Sequence, residues 1–175
     1  MGSRLRCVID ASVIIDLHNG GIFANLTHIP LNFVTPDIVL AEHQNPSSDE
    51  VLRSGIHVED LPGTLVQQVA ELAPQNRKLS VQDRSAFVLA RHHDCLLVTG
   101  DGRLRLLAEQ QAIECHGTLW VMDEMIKHRI LTPASASTAL EMILAKNARL
   151  PTTECEERQK AWWKMTEKHM TADQE

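Results

Sequence analysis

Residues 95–102 read Cys-Leu-Leu-Val-Thr-Gly-Asp-Gly. From Cys95 to Thr99 the run is apolar or β-branched without alternation, and it is of strand length. Such a segment suits a strand of a parallel sheet, covered on both faces. Gly100-Asp101-Gly102 breaks it and leads into a helix over Arg103 to Gln110. On the other side, Ser80 to His92 is the clearest helix of the chain. Ser80 caps it, and Val81, Ala86, Phe87, Leu89 and Ala90 supply its buried side.

Strands and helices alternate through the rest of the chain, with no internal repeat. Arg4 to Asp10 is a short β-branched run ending in a carboxylate, followed by a helix start at Val13-Ile14-Ile15 that Gly20-Gly21 stops. Asn32 to Thr35 is a strand, and Pro36-Asp37 opens a helix with Pro in its first turn, where the missing N–H does no harm. That helix carries Ile38, Val39, Leu40 and Glu42 and fades by Asn45-Pro46. Ile56 to Leu61 alternates like a half-buried strand, and Thr64 to Ala73 places Leu65, Val69 and Leu72 on one helical face. A short strand near Ile113 to Cys115, a helix from Leu119 to His128 and a last core helix from Pro133 to Ala145 complete the pattern. Strands alternating with helices predict an α/β fold, a three-layer α/β/α sandwich with a mainly parallel central sheet. Residues 1–150 are expected to form this domain. Residues 151–175, with four basic and six acidic residues and Trp162-Trp163, are expected to form a helical or partly ordered tail.

Composition agrees. The chain has 175 residues, 43% hydrophobic and 23% charged, with a net charge of −6, which excludes a disordered or collagen-like chain. The acidic balance argues against a protein that coats nucleic acid, though not against an enzyme that touches a few phosphates. No apolar run approaches the roughly 18–20 residues of a membrane helix. Asp10 and Asp16 interrupt the most apolar early stretch, so no membrane role and a cytoplasmic location are expected. Cys7, Cys95, Cys115 and Cys155 are too scattered for a zinc site and read as reduced packing residues.

In an open parallel sheet, ligands bind at the carboxyl ends of the strands. Asp10 and Asp101 follow two such ends, and Glu42 and Asp83 lie on helices that should flank the same edge. Four carboxylates in one crevice repel unless a divalent cation neutralises them. All-oxygen ligation suits Mg²⁺ or Mn²⁺, and such ions activate water and stabilise an in-line displacement at phosphorus. Each member also has a plainer reading. Asp10 and Ser12 would cap the helix at Val13. Asp83 stands three residues after Ser80, the spacing of a capping box. Glu42 reads alone as a solvated helix residue, and Asp101 as a turn or cap residue.

The ordered segments Val8-Ile9-Asp10-Ala11-Ser12-Val13-Ile14-Ile15, Ile38-Val39-Leu40-Ala41-Glu42, Asp83 with Ala86 and Ala90, and Leu97-Val98-Thr99-Gly100-Asp101 resemble a PIN-domain nuclease over about residues 4–131. The chain is similar to small prokaryotic PIN proteins, among them the toxin halves of VapBC-type toxin–antitoxin pairs. Gly117-Thr118-Leu119-Trp120-Val121-Met122 resembles a segment of one prokaryotic PIN subgroup. The resemblance implies Asp10, Glu42, Asp83 and Asp101 as catalytic, metal-binding acids for Mg²⁺ or Mn²⁺, with Ser12 and Thr99 as polar support. Asp16 has no counterpart in the pattern and reads as solvated or as a neighbour of the ligands. A metal-dependent endoribonuclease that hydrolyses RNA phosphodiester bonds is thereby implied, as the toxin of a type II pair, with an antitoxin protein and a homodimer as partners. The alternative is a catalytically silent PIN scaffold used for binding. A haloacid-dehalogenase-type hydrolase also places Asp after its first strand, but needs a second Asp where this chain has Ser12.

Residues 77–105 hold six basic residues against three acidic ones, and Arg84, Arg103 and Arg105 are the expected phosphate contacts. The alternative for each is a solvated helix charge. His92 and His93 are adjacent on a helix, point apart and suit helix-end stabilisation better than metal binding. Trp162-Trp163 reads either as an anchor for a partner or for stacked bases, or as packing against the chain's own core.

Overall fold

The computed structural model describes residues 5–41, 45–146 and 148–172. Five strands, β1 (Leu5–Ile9), β2 (Leu31–Pro36), β3 (His57–Glu59), β4 (Leu96–Val98) and β5 (Cys115–His116), form one sheet in the order β3-β2-β1-β4-β5. Every pairing is parallel, with Val8 opposite Val34 and Ile9 opposite Val98. The helices are α1 (Ala11–Asn19), α2 (Ile38–Ala41), α3 (Ser48–Arg53), α4 (Gly63–Glu71), α5 (Val81–His93), α6 (Gly102–Gln110), α7 (Thr118–Lys127), α8 (Pro133–Ala145) and α9 (Thr152–Ala172).

Strand alternation splits the interior into two cores. Cys7, Ile9, Phe33 and Val98 face one side and pack with α1, α7, α8 and α9. Val8, Val34 and Leu97 face the other and pack with α4, α5 and α6. The three-layer sandwich therefore follows from continuous apolar strands with no solvent face. A one-residue slip of β1 would exchange Val8 for Cys7 and Ile9 between the cores, so the register is strongly held. Each fully buried Ile or Leu contributes roughly 1.5–3 kcal/mol.

Pro36 does not open a helix. It ends β2 opposite Glu59, where a residue without an N–H is tolerated because the Asp37 amide continues the ladder by donating to the Glu59 carbonyl at 3.0 Å. Helix α3 was not foreseen. Ser47 and Glu50 form a full capping box at its start, yet Val51 is its one buried residue, so it carries no apolar periodicity. A 3₁₀ turn over Phe23–His28 buries Phe23 and Leu26 and was likewise not foreseen.

Helix α9 lies against the first core. Trp162 is buried, and its Nε1 donates to Asp123 on α7 at 3.2 Å, beside an Arg158–Asp123 ion pair of 2.9 Å. Trp163 is exposed. All four cysteines are free thiols, and burial pushes Cys7 up to about 12 and Cys115 to about 11, which suits packing residues rather than nucleophiles. No helix among the described residues is long and apolar enough to cross a membrane.

Candidate active site

Strands β1 and β4 are neighbours, but the chain leaves them in opposite directions. After β1 it enters α1 on the face of the first core, and after β4 it enters α6 on the face of the second. This is a topological switch point, where a crevice opens beyond the carboxyl ends of the strands. Asp10 stands at the end of β1, and Thr99, Gly100 and Asp101 stand at the end of β4.

Asp10 is 1% exposed. Its Oδ2 accepts from Ser12 Oγ at 2.8 Å and from Thr99 Oγ1 at 2.9 Å. Both hydroxyls also hold the loop after β4: the Gly100 amide donates to Ser12 Oγ at 2.9 Å, and the Asp101 amide to Thr99 Oγ1 at 3.0 Å. Gly100 lets this loop approach closely, since a Cβ there would sit 3.3 Å from Ser12 Oγ and press on it. Asp10 Oδ1 is buried and makes no hydrogen bond among the described residues, as does the Thr35 hydroxyl at the end of β2. Burial raises the Asp10 pKa and the charge of Asp83 raises it further, against the Ser12 and Thr99 hydrogen bonds and the Ala11 amide, which lower it.

Asp83 is held in a capping box at the start of α5. The Ser80 amide donates to Asp83 Oδ2 at 2.7 Å and the Asp83 amide to Ser80 Oγ at 3.0 Å. Asp101 caps α6, its Oδ1 accepting from the Arg103 and Leu104 amides at 2.8 and 2.9 Å. The capping reading of each carboxylate therefore describes one of its oxygens. The other oxygen of each has no hydrogen bond among the described residues. Glu42 lies outside the described residues.

Asp16 and Thr118 extend this network. Asp16 shares a face of α1 with Ser12 and is 9% exposed; its Oδ2 accepts from Thr118 Oγ1 at 2.7 Å. Burial raises its pKa against that bond. The same Oδ2 is 4.0 Å from where a Cβ on Gly100 would stand, so Asp16 faces the crevice and is not solvated. The available signal for Thr118 was a threonine directly after Gly117 at the end of β5.

The basic residues divide. Arg84 is buried and donates from Nε to the Ser80 carbonyl at 3.2 Å. Arg105 donates to the Cys115 and Thr99 carbonyls at 3.0 and 3.3 Å, tying β4 to β5, and Gly117 makes room for it. Arg103 is exposed.

Among the described residues, no three His, Cys, Asp or Glu side chains gather closely enough to hold a metal ion. The donor chemistry nevertheless fits a hard divalent cation. A buried carboxylate oxygen of Asp10 makes no hydrogen bond among the described residues, and the charge of Asp83 acts on the same carboxylate. The backbone amide of Asp101 is held by the Thr99 hydroxyl that also donates to Asp10 Oδ2.

No curated protein matches the sequence significantly. The PilT N-terminus domain protein SSO1118 from the hyperthermophilic archaeon Sulfolobus solfataricus P2 is similar in structure at 14% identity and a TM-score of 0.49, over 71% of this chain and 93% of that one. PAE2754 from Pyrobaculum aerophilum is similar at 18% identity and a TM-score of 0.49, over 74% of this chain and all of that one. A family profile described as PIN domain matches residues 6–163. That span takes in both strand ends of the switch point, the two capped helices and the first half of α9, and the chain belongs to the PIN domain family.

Proposed function

We propose that this PIN domain is a metal-dependent endoribonuclease that hydrolyses RNA phosphodiester bonds. The observation that carries the reading is Asp10: a carboxylate removed from water at the switch point, with one oxygen pinned by two hydroxyls and the other without a partner. Asp10, Asp83, Asp101 and Glu42 are the residues that would hold Mg²⁺ or Mn²⁺. Such an ion, when bound, supplies a Lewis acid that lowers the pKa of water and neutralises charge developing on the phosphate.

The protein's own part is positioning. Ser12 and Thr99 orient the Asp10 carboxylate and, through the Gly100 and Asp101 amides, set the spacing between the ends of β1 and β4. The capping box holds Asp83 at the start of α5. Thr118 donates to Asp16 and holds it beside the Gly100 loop. Arg103, exposed at the first turn of α6, is the cation that would meet a substrate phosphate.

On this reading the chemistry lies within residues 1–150, the 151–175 segment is accessory, and the enzyme works in the cytoplasm. We place it as the toxin of a type II pair, active as a homodimer and silenced by an antitoxin protein. The test is cleavage of RNA with Mg²⁺ or Mn²⁺ against EDTA, by the native chain and by Asp10→Asn and Asp101→Asn. Metal-dependent cutting lost in both variants is expected. Cutting untouched by both would end the proposed mechanism, and RNA binding without cutting by the native chain would favour a scaffold.

A further inference from the structure

We propose that the cleft between the 74–79 loop and α6 binds the backbone and a base of single-stranded RNA beside the scissile bond, an inference that rests on the nuclease reading. The cleft encloses about 450 Å³, within the range of ligand pockets. Arg77, Lys78 and Arg103 line it, and no acidic residue does, in a chain whose net charge is −6. Another cleft, bounded by Asp37 and Asp60, has no basic residue in its lining, and one bounded by Arg53 has Glu50 in the same lining.

Hydrogen bonding separates these three cations from their neighbours. Within the basic stretch 77–105, Arg84 donates to the Ser80 carbonyl, Arg91 to Gln68 Oε1 at 2.7 Å, and Arg105 to the Cys115 carbonyl. The side chains of Arg77, Lys78 and Arg103 make neither a hydrogen bond nor an ion pair among the described residues. Three cations with open donors around one concavity suit an anion with several acceptor oxygens, and a phosphodiester chain is such an anion.

The placement ties the cleft to the candidate active site. Arg103, Leu106, Leu107 and Gln110 stand on one face of α6, whose first turn Asp101 caps. From Arg103 to Gln110 that face runs about 10 Å at ~1.5 Å per residue. The opposite wall leads directly into Ser80 and the Asp83 capping box. Both walls thus begin beside proposed ligands, and a strand crossing the switch point continues between them. Leu79 and Leu107 give the floor an apolar character, while Leu106 stands 56% exposed at the rim. An unpaired base fits such a floor, whereas a concavity of this size does not admit a duplex.

The experiment measures anisotropy of a fluorescent single-stranded RNA 12-mer with the full chain carrying Asp10→Asn, between 50 and 200 mM salt. In that background Arg77→Ala with Lys78→Ala is compared with Lys146→Ala with Arg149→Ala, an equal charge change on the segment between α8 and α9. Each lost phosphate contact lowers the log–log salt slope by about 0.7 for single strands. The cleft pair should therefore lower it by about 1.4 and weaken binding at least tenfold at 50 mM salt. The control pair should leave both unchanged, and thermal midpoints check that all variants fold. Equal slopes and affinities for the cleft pair and its parent would overturn the cleft while leaving nuclease activity of the native chain intact. Failure of the native chain to cut any RNA would instead remove the nuclease reading, and the cleft with it.

Discussion

Replacing Asp10 by Asn should make the metal-free protein more stable at pH 8. Asp10 is 1% exposed, and Ser12 and Thr99 donate to its Oδ2 at 2.8 and 2.9 Å. Two such bonds to a charged acceptor stabilise by roughly 1.5–3 kcal/mol each. Against them stand a desolvation penalty of several kcal/mol for a buried carboxylate, the like charge of Asp83 and an oxygen without a partner. Burial is the largest influence, and the pKa is raised. A raised carboxyl pKa means that the folded state holds the proton more tightly than the unfolded chain does. Stability from this group is then full below the unfolded value of about 3.9 and is lost as pH rises through the folded value. Above that, each unit of difference is a penalty of about 1.4 kcal/mol. Asn keeps an oxygen for the two hydroxyls and removes the charge, but its amide inherits the partnerless position, which offsets part of the gain. A net gain of about 1–2 kcal/mol remains, or roughly 2–8 °C in a chain of this size. Urea melts in EDTA at pH 8 measure it, and the difference should shrink as the pH falls toward 4. At Mn²⁺ about a hundredfold above its Kd the native chain should gain about 2.7 kcal/mol and the variant none, which reverses the order. A variant less stable than native in EDTA at pH 8, or one that Mn²⁺ stabilises equally, would refute the reasoning.

Thr99→Val removes the bond to Asp10 and the acceptor for the Asp101 amide. Stability should fall by about 1–3 kcal/mol and RNA cleavage at least tenfold, read by denaturation and initial rates; native values for both would discount the Thr99 bridge. Gly20→Ala would put a Cβ 2.9 Å from Ile143 Cγ1 and 3.2 Å from the Ala139 carbonyl, at a φ of −79° that any residue tolerates. Overpacking should destabilise by about 1–3 kcal/mol, and an unchanged melt would show slack between α1 and α8. Trp162→Ala should lower stability by about 3–5 kcal/mol, since it empties a buried site and leaves Asp123 to Arg158 alone. An unaltered denaturation curve would mean that α9 does not belong to the cooperative fold.

The elements legible in the sequence were those whose apolar residues had nowhere to go but inward. Leu96 to Val98 and Cys7 to Ile9 are buried on both faces, and their uninterrupted runs said so. Ser80 to His92 combined a cap with a wide apolar face and proved to be α5, Val81–His93. Short elements gave no such signal, because α3 buries only Val51 and the Phe23–His28 turn only Phe23 and Leu26. Pro36 was misread because proline at a first helical turn and proline at a strand end both satisfy the missing donor. At the site, Asp10 and Asp101 were legible because each follows a strand. The Asp16–Thr118 pair was not, since 102 residues separate partners that only the parallel sheet brings to one edge.

At Asp83 and Asp101 the two competing readings are compatible, because a carboxylate has two oxygens, whereas the Asp10 side chain, expected to cap the first helix, makes no cap bond to α1. At Asp83 and Asp101 one oxygen closes a helix N-terminus, a position that favours negative charge. At Asp10 one oxygen is closed by hydroxyls whose own acceptor positions organise the neighbouring loop. In each case these bonds restrain the carboxylate, and on the proposed reading the remaining oxygen is the one that would meet a cation. Sequence spacing for a capping box is then no argument against a ligand when the capped helices converge on a switch point. The discriminating feature is what the second oxygen finds, and at Asp10 it is buried and makes no hydrogen bond among the described residues. A helix cap alone gives no reason to bury a carboxylate there; on the proposed reading, a divalent cation shared with Asp83 and Asp101 would.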